Sequence, residues 1–287
     1  MKAWRVHDYG HYSEQLRWEE CPDPKPPADG VVLQVSAAGL NFPDLLAIAG
    51  KYQVKAPLPF TPGLEAVGTV VEVGPDSSAS IGDRMIASAK WGAFAEAMPV
   101  EGANLYPCPP GMADPQAAGL VITYQTSYVA LVHRARLQPG ETLLVHGGAG
   151  GVGTAAIQLG KAMGATVIAT AGGANKTEVC ARAGADHVID YHDQDFVSAV
   201  MELTQGQGAD VIYDPVGGKV CHQSTKCIAF SGRLLIIGFA SGVIPEIAAN
   251  RVLLKNISIV GVNWGAYKTR APGLVQENHR QLSELFQ

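Results

Sequence analysis

The glycine-rich stretch LLVHGGAGGVGTAAIQLGKAMGATVIATA, residues 143–171, constrains the fold of this 287-residue chain more than any other segment. An apolar run precedes the glycines, a helix-compatible segment follows them, and a second apolar run closes the unit. This order predicts two parallel strands joined by a right-handed helical crossover.

The same alternation continues along the chain after this stretch, but not before it. HVIDY, ADVIYD, RLLIIGF and NISIVGVNWG are further short apolar runs separated by helix-compatible sequence. Residues 1–118 instead hold valine-rich runs and clustered prolines, which predict an irregular barrel or sheet. We therefore predict an α/β fold, with a doubly wound parallel sheet beside a β-rich domain. The final segment predicts a helix with Pro272 near its first turn and an apolar face of Leu274, Leu282, Leu285 and Phe286.

The glycines predict a turn that a phosphate group can approach. A strand-to-helix turn in a parallel sheet directs helix N–H groups and the positive end of the helix dipole outward. Side chains would keep a pyrophosphate away, and Gly147, Gly150 and Gly153 are spaced three apart. The strand, glycines, helix and second strand match a dinucleotide-binding unit, with a purely structural turn as the alternative. The predicted cradle residues are Gly148, Ala149, Gly150, Gly151, Val152 and Gly153.

The end of the second predicted strand indicates which dinucleotide binds. NAD-selective sites place an acid there for the ribose hydroxyls. The segment ATAGGANK holds no acid, Gly172 and Gly173 leave room, and Lys176 can meet a 2′-phosphate. Lys176 is alternatively a solvated residue at a helix start. The combination favours NADPH.

These motifs together resemble the zinc-free quinone oxidoreductase (zeta-crystallin-like) branch of the medium-chain dehydrogenase/reductase superfamily. The resemblance covers nearly the whole chain and includes AAGLNFPDLLAIAGKY, PFTPGLEAVGTVVEVG, GADHVIDY and YDPVGG. It implies a GroES-like β-barrel substrate domain over residues 1–118 and a Rossmann NADP-binding domain over 119–262. Residues 263–287 would then be a shortened segment that returns to the first domain. A homodimer paired through NISIVGV is also implied.

The resemblance implies chemistry without zinc. Zinc-dependent members carry cysteine and histidine where this sequence has Asn41 and Leu64, and these two residues cannot close a tetrahedral zinc site. Without a Lewis acid, reduction of an activated acceptor by a bound hydride donor is favoured over alcohol oxidation. The resemblance places Asn41, Asp44 and Tyr52 beneath the nicotinamide, where Tyr52 offers a donor to the acceptor oxygen. Turn formation beside Pro43 and surface packing of Tyr52 are the alternatives.

The remaining cofactor contacts are also carried over from the resemblance. Thr126 would lie near the nicotinamide amide, and Tyr191 would join Lys176 around the 2′-phosphate. Gln125 departs from close relatives, which often have glycine there. The segments expected to border the nicotinamide half are Gly238, Phe239, Ala240, Val262, Asn263 and Trp264.

The leading function is reduction of a quinone by NADPH. The same scaffold also suits hydride delivery to an enone, a 2-alkenal or an enoyl thioester, for which Lys51, Lys55, Lys268 and Arg270 are candidate CoA-phosphate contacts. A non-catalytic nucleotide- or RNA-binding, crystallin-like role is a third reading. The net charge of −5 and the absence of a basic stripe disfavour a nucleic-acid partner. The N-terminus has no apolar signal core, so we expect a cytoplasmic protein without a membrane partner.

Overall fold

The computed structural model describes residues 1–286, so Gln287, the last residue of the predicted C-terminal helix, lies outside the described residues. Contacts divide the chain into two compact units. The first unit contains Met1–Ile122 and the segment from Ala271 onward, and the second contains Thr123–Arg270.

The first unit is built on antiparallel β-structure. Its strands are β1 (Lys2–Val6), β2 (Leu16–Glu20), β3 (Val31–Gly39), β4 (Glu65–Val73), β5 (Arg84–Ser88), β6 (Ala97–Val100) and β7 (Leu105–Pro107). β1 pairs with β2, and the other five form one sheet in the order β6-β3-β4-β5-β7. Alternate residues of β3 and its neighbours, among them Val31, Leu33, Val70 and Met98, are buried in one core cluster. Its helices before the C-terminal segment are α1 (Tyr12–Gln15), α2 (Phe42–Ile48) and α3 (Asp114–Ala117).

The second unit is built on a six-stranded parallel sheet. Its strands are β8 (Thr142–Val145), β9 (Thr166–Ala171), β10 (His187–Asp190), β11 (Ala209–Asp214), β12 (Ile228–Ile236) and β13 (Ser258–Gly261). Every predicted apolar run after the glycines forms one of them. The sheet order is β10-β9-β8-β11-β12-β13, so the winding reverses between β8 and β11. In such sheets ligands bind beyond the carboxyl ends of the strands at this reversal.

Helices connect these strands. They are α4 (Gln125–Tyr128), α5 (Gly151–Ala162), α6 (Ala174–Arg182), α7 (Phe196–Leu203), α8 (Gly218–Cys227), α9 (Ala249–Lys255) and α10 (Trp264–Arg270). The apolar segment AAGLVITYQTSYVALVHRA, residues 117–135, predicts one buried helix before β8. The structure instead has α4 flanked by two π-helical segments, Leu120–Tyr124 and Val129–Ala135. A short apolar run does not distinguish these wider turns from α-helical ones.

The C-terminal helix α11 (Pro272–Phe286) begins where Pro272 predicts, and its predicted apolar face is right only in part. Leu282 is buried and Leu274 is half-buried, whereas Leu285 and Phe286 in the last turn are 58% and 40% exposed. His279 is buried instead, and its ring Nε2 lies 2.7 Å from the carbonyl oxygen of Pro107. Over residues 1–286, no helix has the length and apolarity needed to cross a bilayer.

Candidate functional site

The predicted phosphate cradle lies between β8 and α5. Gly150 is the N-cap of α5, and no side chain caps the helix there. The first intrahelical bond runs from the Thr154 N–H to the Gly150 carbonyl at 2.8 Å. The N–H groups of Gly151, Val152 and Gly153 therefore have no intrahelical acceptor. An uncapped helix N-terminus of this kind offers N–H donors and a positive dipole end to an anion.

Two kinds of glycine form this turn. A Cβ on Gly153 would lie 2.2 Å from the Gly147 carbonyl oxygen, so the fold itself excludes a side chain there. A Cβ on Gly150 would meet only that same oxygen, at 3.3 Å, and Gly150 has an ordinary φ of −81°. Packing therefore opposes a side chain far less at Gly150 than at Gly153. The observation fits a turn that a bound pyrophosphate approaches.

A buried polar network holds the base of the cradle. His146 directly follows β8, and its ring nitrogens lie 3.0 Å from Thr170 Oγ1 and 2.9 Å from Ser224 Oγ. Burial lowers the pKa of His146 to about 4, so the ring is neutral at physiological pH. At the end of β11, Asp214 accepts the backbone N–H groups of Val216 and Gly217. These contacts fix the strand ends on both sides of the winding reversal.

The region predicted to hold the 2′-phosphate follows β9. A Cβ on Gly172 would lie 2.7 Å from the Tyr191 ring, so these two predicted residues are in contact. Lys176 is exposed in the first turn of α6, and its N–H bonds to the Gly173 carbonyl. The structure adds Asp190, at the end of β10, which the sequence reasoning missed. Its carboxylate accepts the N–H groups of Gly173 and His192, and these backbone bonds lower the pKa of Asp190.

The segments predicted for the nicotinamide half follow the ends of β12 and β13. Gly238, Phe239 and Ala240 form a loop after β12, and the Ala240 N–H bonds to the Pro215 carbonyl after β11. The Val262 N–H bonds to Ile236 and prolongs the pairing of β13 with β12. Both segments therefore lie at the carboxyl edge of the sheet, as the cradle does.

The residues beside Val262 begin α10. The Asn263 side chain accepts the Ala266 N–H at the start of that helix, and Trp264 is buried. Thr126 lies in α4 between the fully buried residues Gln125 and Ser127.

In the first unit, Asn41 and Asp44 lie together at the start of α2. Asn41 is the N-cap, and its backbone N–H donates to Asp44 Oδ2 at 2.8 Å. Asn41 Nδ2 donates to Glu65 Oε1 at 2.9 Å, and Glu65 Oε2 accepts the Ile122 N–H at 2.8 Å. Sequence reasoning missed Glu65, although an acid inside the apolar run PGLEAVG was a usable signal. Asn41 and Asp44 form the capping box of α2, and Asn41 is also hydrogen-bonded to the buried acid Glu65.

Burial keeps these groups protonated to an unusual degree. It raises the pKa of Asp44 to about 7 and that of Glu65 to about 7, although backbone and side-chain N–H donors oppose the shift. Burial and the charge of Asp44 also raise the pKa of Tyr52, so its phenol keeps its proton at neutral pH. Tyr52 is half-buried and remains a hydrogen-bond donor.

Two family models match the chain. Residues 27–110 match the alcohol dehydrogenase GroES-like domain, and residues 151–280 match the zinc-binding dehydrogenase family. The quinone oxidoreductase-like protein 2 homolog of Nematostella vectensis is 43% identical over 262 residues, which cover 89% of this chain and 71% of that protein. The chain belongs to the quinone oxidoreductase family of medium-chain dehydrogenases/reductases.

Solved structures agree with this family. The Escherichia coli quinone oxidoreductase complexed with NADPH superposes with a TM-score of 0.91 at 28% identity, covering 99% of this chain and 87% of that one. The CurK enoyl reductase superposes with a TM-score of 0.88 at 27% identity, with coverages of 99% and 87%. The predicted family and its Rossmann and GroES-like folds are confirmed. By membership of this family the chain is an oxidoreductase. Within residues 1–286, no group of three or more His, Cys, Asp or Glu side chains is arranged to hold a metal ion.

The cradle geometry predicts different outcomes for two alanine substitutions. Gly153→Ala should lower both the stability and the NADPH affinity, because its Cβ overlaps backbone atoms that cannot move cheaply. Gly150→Ala should leave the thermal midpoint near the wild-type value but weaken NADPH binding if the pyrophosphate lies there. Thermal unfolding and fluorescence titration measure the two effects. Wild-type affinity in a folded Gly150→Ala variant would contradict the assignment of the cradle.

The two buried acids predict how stability changes with pH. Their folded pKa values of about 7 lie above those of unfolded acids, so the folded state binds the extra protons. The contribution of these two acids to the free energy of unfolding should therefore fall as pH rises from about 4 to about 7, while the buried His146 ring contributes in the opposite direction between about 4 and 6.5. Glu65→Gln cannot titrate, so its free energy of unfolding should decrease less with rising pH than that of the wild type. Urea unfolding at several pH values tests this, with Glu202→Gln at an exposed position as control. An unchanged slope in Glu65→Gln would contradict a protonated Glu65.

Proposed function

We propose that this chain catalyses the reduction of a quinone by NADPH. The observation that carries the proposal is the uncapped cradle at the start of α5, in which Gly150 is bare although packing opposes a side chain there far less than at Gly153. The NADPH complex of the Escherichia coli neighbour, which is named a quinone oxidoreductase, supports both the cofactor and the acceptor class.

Each part of the proposed site has one task. The N–H groups at residues 148–153 bind the pyrophosphate, while Lys176 and Tyr191 bind the 2′-phosphate. The segments 238–240 and 262–264 and Thr126 border the nicotinamide half. When bound, NADPH supplies a hydride. Among the first unit's residues, Tyr52 donates a hydrogen bond to the acceptor oxygen, and Asn41 and Asp44 position the acceptor.

We propose that the reaction needs no zinc. Asn41 and Leu64 stand where zinc-dependent relatives carry ligands, and an alkyl side chain cannot coordinate a metal. The Asn41 amide is already engaged with Glu65. Full activity of protein dialysed against a chelator supports this proposal, and activity restored only by zinc would contradict it.

The neighbouring CurK enoyl reductase keeps a second reaction open, namely hydride delivery to the β-carbon of an α,β-unsaturated carbonyl compound. Both reactions use NADPH and a donor to the acceptor oxygen. NADPH deuterated at C4 distinguishes them. Stable deuterium at the β-carbon identifies the enone reaction, whereas rapid formation of a hydroquinone from 1,2-naphthoquinone identifies the proposed one.

The test of cofactor choice is Lys176→Ala. Loss of one charge-assisted bond to the 2′-phosphate should weaken NADPH binding about tenfold and leave NADH binding unchanged. Fluorescence titration with both nucleotides measures the effect. Lys226→Ala is the matched control. Lys226 is in the last turn of α8, just before β12 begins, and so lies at the amino edge of the sheet rather than at the carboxyl edge. Equal binding of NADPH and NADH by the wild type would contradict the proposal.

We further propose a homodimer that pairs through β13. This strand is one of the two edge strands of the six-stranded sheet, and an exposed strand edge is a ready site for pairing. Leu253 and Leu254, shortly before it, are 75% and 76% exposed. Light scattering should give twice the chain mass, and Leu254→Glu should shift the equilibrium toward the monomer. A monomeric wild type at micromolar concentration would contradict this state.

A further inference from the structure

A buried side-chain hydrogen bond joins Gln125 and Trp264, which lie in two segments of the second unit that are distant in the sequence. Trp264 Nε1 donates to Gln125 Oε1 at 3.2 Å. Gln125 is fully buried in α4, and Trp264 is 7% exposed at the start of α10. The neighbours of this pair, Thr126 and Asn263, are two of the residues proposed to border the nicotinamide.

Stability alone does not account for a glutamine at this position. Gln125 Nε2 is buried, and none of the described residues accepts a hydrogen bond from it. A buried donor without an acceptor costs stability, whereas a leucine of similar size carries no such donor. The glutamine therefore carries a cost of its own, and what it contributes is the acceptor for the Trp264 indole.

The other side of Thr126 is anchored as well. Ser127 Oγ donates to the carbonyl oxygen of Val152 at 3.0 Å and lies 2.9 Å from the Tyr213 hydroxyl. Val152 is in the first turn of the cradle helix α5. Thr126 is thus held between a link to the cradle through Ser127 and a link to α10 through Gln125.

We propose that Gln125 is a positioning residue for the nicotinamide half of NADPH and acts through the Trp264 indole. The bond sets the separation between Thr126 and the Asn263–Trp264 segment, and with it the width of the slot that receives the nicotinamide carboxamide. This inference rests on the proposed NADPH function. A slot of fixed width holds the ring for hydride transfer and contributes little to binding of the adenosine half.

The decisive variant is Gln125→Leu, which removes both the acceptor and the unpaired donor. Its urea midpoint should stay close to that of the wild type, because the unpaired donor Gln125 Nε2 is gone while the buried Trp264 indole N–H loses its acceptor. Its kcat with 1,2-naphthoquinone should fall about tenfold. Its affinity for NADPH should weaken, while its affinity for 2′,5′-ADP, which lacks the nicotinamide, should match the wild type. If Gln125 had only a structural role, the substitution would shift the urea midpoint, and the ratio of the affinities for NADPH and 2′,5′-ADP would stay at its wild-type value.

A double-mutant cycle tests whether Gln125 acts through the indole. Trp264→Phe removes the donor, and the double variant Gln125→Leu/Trp264→Phe should lose no more kcat than the worse single variant. Multiplied losses would overturn the proposed route. Trp264 is the only tryptophan of the second unit, so its fluorescence in the wild type also reports nucleotide binding.

The outcomes separate this inference from the function on which it rests. A wild type that binds NADPH and reduces the quinone, beside a Gln125→Leu variant with unchanged kcat and nucleotide affinities, overturns the inference alone. A folded wild type that binds neither NADPH nor 2′,5′-ADP overturns both.

Discussion

The close approach of Gly153 to the Gly147 carbonyl determines the arrangement at the carboxyl edge of the parallel sheet. α5 can begin directly after β8 only because no side chain stands between these backbones. The helix therefore starts with its N–H groups directed at the turn. His146 secures the strand on one side of that turn through Thr170 and Ser224. A larger residue at 153 would change the geometry on which all the proposed cofactor contacts depend.

The candidate site of the first unit is governed by two buried acids, Glu65 and Asp44. Glu65 and Asp44 are 1% and 3% exposed, and burying an ionised acid is costly. Donors from Asn41 and Ile122 satisfy the Glu65 oxygens without fully offsetting that cost. Asp44 and Glu65 therefore gain or lose a proton near neutral pH. Such perturbed groups are characteristic of functional sites, which supports the placement of Asn41 and Asp44 in one.

Local sequence predicted the features that depend on local sequence. The six apolar runs became six parallel strands because the strands of a parallel sheet are covered by helices on both faces and are therefore largely apolar. Pro272 marked the start of α11 because proline fits the first turn of a helix. The exposure of Leu285 and Phe286 was not predictable, since an apolar stripe does not reveal where its packing partner ends. The π-helical turns around α4 likewise leave no distinct mark on a short apolar run.

The proposed cofactor cradle depends on residues close together in the sequence, whereas the rest of the candidate site depends on residues far apart in it. A pyrophosphate is recognised by backbone groups within one turn, so a few glycines suffice to predict the cradle. Asp190, Glu65 and the Gln125–Trp264 pair act across sequence separations that no local pattern spans. Gln125 appears in the sequence only as an unusual residue in a helical run, and Trp264 as the end of an apolar one. Each acquires a physical meaning when α4 lies beside the start of α10, because a buried amide oxygen requires a donor and the indole provides it.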